Sequence, residues 1–377
     1  MKVFFSLFII LAGFTGFEAQ AQKVLDGAQV IPIVQPAVHP ENKEKQAERQ
    51  ELIAIQKAQR EAQGISTLRR VKQRDRIRCG TNLQLKCFAY REDEMWRGID
   101  ADFCKAIALA VVGDADHIEM VNVEASEVSR ALNSGRIDVM LSGAPVSAKS
   151  EISKNIMPVG VLYYEPQMLM MSEKDGDKNE DFIGKKICVA EGTDYSRNFE
   201  AFNNEHNLEA KTLMFPTVKA MREGFLLKRC DMATAGAVYL SGMKQVMAKS
   251  NFKIFPEPIS VAPVMASVAR GNNDFGLAVK WVINGLQLAE QYGMNAKNLN
   301  FFRGHNNPEI RNLMGDNPQL WNGLGLFPKW LDQAVAIVGN YGAIFERNVG
   351  AESDYKIKRE QGKLMKDGGA VYPEPFL

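Results

Sequence analysis

The sequence predicts an α/β protein made of two lobes joined by two crossing strands, and three observations carry that expectation. From about Ser66, strand-like runs alternate with helical ones: RIRCGTN, GIDADFCKAIALAVVG, HIEMVNV, EVSRALNSG and RIDVML. A second series of the same texture follows: KKICVAEGT, a helix from about Tyr195, KTLMF, a helix from Thr217 to Leu227, CDMATA and a helix near 237–249. Two extended segments, VLYYEPQMLMM and FPEPISVAPVMASVA, bracket that second series. Repeated β-α-β texture means a mainly parallel sheet covered on both faces. A series inserted between two extended segments means two lobes that hinge by changing a few backbone dihedrals, with a cleft between them where ligands bind.

The amino-terminal region is of a different kind. Lys2 precedes an apolar run from Val3 to Phe14, and Ala19-Gln20-Ala21 offers small residues for cleavage before Gln22. These are the parts of a secretory signal peptide over 1–21, and the run is too short for a membrane span. The expected location is the periplasm. Residues 22–65 are read as an extended arm followed by a spacer helix. The arm holds three prolines, at 32, 36 and 40. The helix runs from Asn42 to Gln63, rich in Lys, Glu, Gln and Ala, with Gly64 as its carboxyl-terminal cap. The expected organisation is therefore a signal peptide over 1–21, an arm and spacer over 22–65, lobe 1 over 66–166 plus 262–377, and lobe 2 over 167–261.

Composition removes several functions. With 46 Lys+Arg against 45 Asp+Glu, no net charge draws the chain to nucleic acid or anionic membrane. The four histidines stand at 39, 117, 206 and 305, without metal-ligand spacing. No glycine-rich phosphate loop and no Ser/His/Asp set is evident. No metal, no cofactor and no enzymatic activity are expected. Five cysteines in an exported chain read as disulfide material. Pairing Cys79 with Cys104 and Cys188 with Cys230 would staple each lobe once, although four cysteines permit three connectivities. Cys87 is then left over, as a buried small hydrophobe or a free thiol.

Longer stretches carry a family resemblance. From about Leu68 onward, WRGIDADFCKAIALAVVGDA, SGRIDVM, VLYYEPQ, KRCDMA, NPEIRNLMG and above all GLGLFPKWLDQAVAIVGNYGAIFERNVGAESDYKI with GGAVYPEPF resemble the general L-amino-acid-binding proteins. These are solute-binding proteins of family 3, periplasmic receptors of polar amino-acid ABC transporters. The resemblance implies a type II periplasmic-binding-protein fold and a small polar ligand.

The family's ligand chemistry carries over only in part. Members hold the ligand carboxylate with an Arg after a Thr-rich loop; aligned on RIDVM, that Arg falls on Ser150 and the Thr on Ser147, with Lys149 the nearest cation. Members hold the ammonium with an Asp that falls here on Gly236. Removing one partner of such a desolvated pair typically costs about 2–5 kcal/mol. The turn Glu191-Gly192-Thr193-Asp194 survives, where backbone N–H groups at a helix start suit an anion and Thr193 or Asp194 would cap. The expected ligand-binding set is Asn82, Phe88, Ser142, Gly143, Ser147, Lys149, Gly192, Thr193, Asp194 and Gly236. Tyr163 and Tyr164 are expected to pack the hinge, and 339–348 to be structural.

The leading reading is capture of a small polar ligand, an amino acid or related compound, for an ABC-type importer, with permease domains as partners. The alternative is an exported interaction or sensory module that has lost amino-acid binding and meets a protein partner through residues 22–65.

Overall fold

The computed structural model describes residues 66–377 apart from 84, 143–146, 149–150, 153–154, 177, 192 and 248–250. The signal peptide, arm and spacer helix expected over 1–65 lie outside the described residues. Residues 64–377 form one compact unit.

Helix α1 (Thr67–Arg74) opens the fold, capped by the Ser66 hydroxyl accepting from the Arg69 amide. Strand β1 (Ile77–Thr81) follows, then a short hairpin of β2 (Tyr90–Glu92) and β3 (Met95–Arg97), and helix α2 (Ile99–Val111). All thirteen residues of α2 are buried. It ends where expected, with Gly113 in the left-handed region at φ +85°. Strand β4 (Ile118–Asn122), helix α3 (Val128–Asn133) and the two-residue strand β5 (Val139–Met140) complete the first series. In the second series, strands β7 (Lys186–Ala190), β8 (Lys211–Phe215) and β9 (Met232–Gly236) alternate with helices α4 (Tyr195–Glu205), α5 (Val218–Leu226) and α6 (Ala237–Val246).

Two long strands, β6 (Ile156–Ser172) and β11 (Ser260–Ala269), lie between the series and pair antiparallel with each other. The short β10 (Phe252–Ile254) pairs with the end of β6. Nine strands form one sheet in the order β4-β1-β5-β11-β6-β9-β7-β8, with β10 beside β6, while β2 and β3 pair apart from it. Pairing is parallel within each outer half, β1 with β4 and β5, and β7 with β8 and β9. Strands covered on both faces need continuous apolar character rather than alternation, and β7 (KICVA) is buried at all positions but its first. This is the mixed α/β layout of a type II periplasmic-binding-protein fold.

Each half carries its own disulfide. Cys79 on β1 is joined to Cys104 on α2, and Cys188 on β7 to Cys230 just before β9. Cys87 is free and buried, and burial pushes its thiol well above the usual range.

After β11 the chain returns to the first half. Helix α7 (Asn273–Gln291) packs against β6, and α8 (Leu299–Phe302), α9 (Pro308–Leu313), α10 (Pro318–Gly323), α11 (Trp330–Ile337) and α12 (Tyr341–Asn348) follow. The Arg347 guanidinium and the Asn348 amide both donate to Asp102 Oδ2 on α2, at 2.6 and 2.7 Å. Arg359 meets Glu290 on α7 through two bonds of 2.6 and 2.7 Å. A fork-to-fork pair of this kind fixes orientation as well as charge. The segment 339–348 is thus tied into the first half.

Candidate functional site

In open parallel sheets, ligands meet the carboxyl ends of the strands, where successive loops diverge. Both halves of this sheet present those ends to one cavity of about 80 Å³. Asn82 follows β1, Val123 to Ser126 follow β4, and Ser142 follows β5. From the other half, Glu191 and Thr193 follow β7, Pro216 to Val218 follow β8, and Gly236 ends β9. Tyr163 and Glu165, on the crossing strand β6, form the floor between them.

The first wall is organised by a buried acid. Asp100, at the start of α2, is fully buried and accepts from the Thr81 hydroxyl at 2.6 Å. Ser142 favours the charged form of the same carboxyl and accepts from the Asn82 amide at 2.9 Å. The Asn82–Ser142 bond ties the end of β1 to the end of β5. Burial pushes Asp100 up to about 7, against the opposing effect of the Thr81 and Ser142 hydrogen bonds. Phe88 enters the wall because Gly98, at φ +109°, lets the preceding loop pass close to the amino end of α2. A side chain at 98 would come within 3.0 Å of Ala89 Cα, and the Asp100 amide donates to Phe88 O at 3.0 Å.

The second wall has a feature the sequence reading missed. Gly236 is the N-cap of α6 and has no side chain with which to cap it. The acceptor comes instead from β6: Glu165 Oε1 accepts from the Val238 amide at 2.9 Å. Register makes this possible, since Gln167 pairs with Gly236 and Glu165 lies one pleat further along the same face. A side chain at 236 would come within 2.6 Å of Glu165 Cγ. The Glu165 carboxyl therefore occupies the space that residue 236 leaves empty. The Tyr163 hydroxyl favours the charged form of that carboxyl. Burial nevertheless pushes Glu165 up to about 8. Gln167, next along, donates to Tyr195 O and Thr234 Oγ1 and accepts from Asn198 and Ser260. That network fixes the floor of the cleft on the side of β9 and α4.

Of the residues expected from sequence, Asn82, Phe88, Ser142, Thr193 and Gly236 line the cavity. Gly143, Lys149 and Gly192 lie outside the described residues. Ser147 and Asp194 are not among the residues lining it. The capping expected of Thr193 or Asp194 is corrected. Asp194 is the N-cap of α4 by backbone position, yet it makes no capping side-chain bond and pairs with Arg197. The Thr193 hydroxyl donates to Ala190 O at 2.9 Å, closing the turn behind it. Tyr163 lines the cavity as well as packing the crossing strand, whereas Tyr164 lines a separate groove.

Sequence reading also passed over Tyr195, Tyr239 and Glu124 as site residues and named Glu191 only as part of a turn, yet all four line the cavity. The available signal was VLYYEPQ, where polar groups recur at every second position, 163, 165 and 167, in an otherwise apolar strand. Among the described lining residues there is no Lys, Arg or His, but there are three carboxyl groups and four aromatic rings. Burial raises the Tyr239 hydroxyl, with the Arg222 charge opposing and the Glu124 charge adding to that shift. Among the described residues no cluster of His, Cys, Asp and Glu is placed to hold a metal.

A cleft built from the carboxyl ends of two sets of parallel strands, floored by paired crossing strands, defines a solute-binding protein. The chain belongs to the bacterial extracellular solute-binding proteins, family 3, whose model matches residues 77–295. It is 31% identical to the general L-amino acid-binding periplasmic protein AapJ of Rhizobium johnstonii, over 83% of this chain and 94% of that one. It is 30% identical to the glutamate/glutamine/aspartate/asparagine-binding protein BztA of Rhodobacter capsulatus, over 84% and 94%. Among solved structures, it is similar to an ABC transporter periplasmic binding protein from Brucella ovis with glutathione bound. That likeness has a TM-score of 0.77 and 30% identity, covering 82% of this chain and 99% of that chain.

Proposed function

We propose that this protein is an exported receptor that closes over a small polar solute, an amino acid or a compound containing one, and delivers it to an ABC-type permease in the inner membrane. Two lobes, 66–166 plus 262–377 and 167–261, swing on β6 and β11 as the ligand binds. The reading is supported by relatives named as amino-acid-binding periplasmic proteins and by a glutathione-bound structural neighbour. The single observation that carries it is the gathering of polar and aromatic groups from the carboxyl ends of both halves into one cleft. We take the protein to act by binding alone, in the periplasm, without a catalytic step. Asn82, Phe88, Ser142, Thr193 and Gly236 form its ligand-contacting wall, joined by Glu165 and the tyrosines at 163, 195 and 239.

The cavity's 80 Å³ is smaller than the roughly 150 Å³ that admits benzene in an engineered apolar core. A guest of amino-acid size therefore enters only with separation of the two walls, as a hinged receptor requires.

Native mass spectrometry of the gently purified mature chain should show a co-bound small molecule. Thermal melts with the L-amino acids and glutathione should identify a compound that stabilises by about 2.7 kcal/mol at a hundred times its Kd. Melts unmoved by every compound, together with a bare mass, would refute solute capture.

A further inference from the structure

We propose that Glu165, on the crossing strand β6, receives the ammonium group of the ligand, taking over the task for which position 236 has no side chain. This rests on the reading of the cleft as a solute site and names the chemical class it accepts, a primary-amine cation.

Four observations converge on it. The carboxyl of Glu165 fills the volume that a side chain at 236 would need, so Gly236 and Glu165 are sterically complementary. It stands on the strand that also contributes Tyr163, and it lines the cavity itself. The rings of Phe88, Tyr163, Tyr195 and Tyr239 line the same cavity, and aromatic rings attract a desolvated ammonium. No described lining residue competes as a cation.

Capping alone does not account for this arrangement. An N-cap Ser, Thr, Asn or Asp at 236 would satisfy the Val238 amide locally. Reaching it with a glutamate from another strand instead buries an acid at a cost. An ammonium guest offsets that cost by supplying the missing counter-charge.

The groups facing Glu165 set how it titrates. They are Tyr163 on its own strand, Tyr195 on α4, the Val238 amide at the start of α6, and Cys87, whose thiol feels both Asp100 and Glu165. None of these is cationic, and burial holds the Glu165 carboxyl up to about 8. Near neutrality the empty site holds a proton on Glu165, and an incoming ammonium displaces it to solvent. Capture therefore releases about one proton, and affinity falls roughly tenfold for each pH unit below about 8.

The test is titration calorimetry at pH 6, 7, 8 and 8.5, in buffers of different ionisation enthalpy. The probes are the L-amino acids, glutathione and putrescine, each beside its N-acetylated form. Expected are binding by free amines, loss with the acetylated forms, and proton release that fades by pH 8.5. Glu165→Gln keeps an oxygen for the Val238 amide but removes the charge, and should weaken binding about 30- to several-thousand-fold. The exchange variant Glu165→Ala with Gly236→Asp returns a carboxylate to the end of β9 and should recover most of that loss.

Equal binding of acetylated and free forms, or undiminished affinity in Glu165→Gln, would overturn the assignment while leaving a solute receptor. Failure of every probe to bind would remove the receptor reading and this assignment together.

Discussion

Two hollows in this molecule invite opposite judgements. The larger, about 630 Å³, runs along the first half between β6, α7 and the carboxyl-terminal segment, lined by Val159, Tyr164, Leu277, Ile283 and Tyr372. The smaller, about 80 Å³, lies between the two halves of the sheet. Volume favours the first. Chemistry favours the second, where a buried carboxyl with a raised affinity for its proton sits among aromatic rings at the carboxyl ends of six parallel strands. The groove's charged pair, Lys280 with Glu374, is exposed to water, and pairs of that kind contribute little. The contrast teaches that a site is marked by what its walls have been made to tolerate.

Experiments that set one hollow against the other follow from this, in order of expected size. The largest concerns pH. Asp100 and Glu165 both hold their protons more tightly folded than unfolded, so their favourable contribution is complete below about pH 4. It is lost as pH rises through about 7 for Asp100 and about 8 for Glu165. Urea melts of the unliganded protein should show stability falling across that window by on the order of 4 kcal/mol per acid. Asp100→Asn should flatten the lower part of the slope and Glu165→Gln the upper part. A profile that rises with pH through this range would contradict the burial argument.

Next comes Gly236→Phe, which drives a ring into the space held by Glu165. It should reduce ligand affinity at least ~100-fold and cost about 1–3 kcal/mol of stability by overpacking. Third, Tyr239→Leu removes one ring from the wall and the bond from its hydroxyl to Val218 O. Calorimetry should show a loss of about 3- to 30-fold for an amine ligand. Smallest is Leu277→Ala with Lys280→Ala in the larger groove. Affinity should stay within about twofold and stability within about 1 kcal/mol. If this groove variant lost binding while Tyr239→Leu did not, the two hollows would have to exchange roles.

Much of the fold was legible because parallel strands announce themselves. KICVA and KTLMF are short apolar runs between helices, and β8 occupies Lys211–Phe215 as KTLMF suggests. The β2–β3 hairpin was not legible, since YRE and MWR carry charge and are too short for period-two alternation to show. Strand β5 is shorter than RIDVML implies, because only two of its residues find partners on β1.

In the site, positions following strand ends could be read directly, as Asn82, Ser142 and Thr193 were, whereas Gly236 was reached through the family resemblance. Glu165 could not. Its meaning depends on lying one pleat beyond the residue that pairs with Gly236, and that neighbourhood exists only once β6 and β9 are in register. The empty position 236 was visible in the sequence as an absence; what fills it is a property of tertiary structure.

The two disulfides close short spans, separated by 25 and 42 residues, and the first is complete in sequence before the second begins. A chain synthesised amino end first exposes Cys79, Cys87 and Cys104 while Cys188 and Cys230 have yet to appear. Order of arrival thus discourages every bond between early and late cysteines, and leaves Cys87 as the chief wrong partner. In the folded first half Cys87 is buried, so that its thiol is held away from solvent and from the later pair.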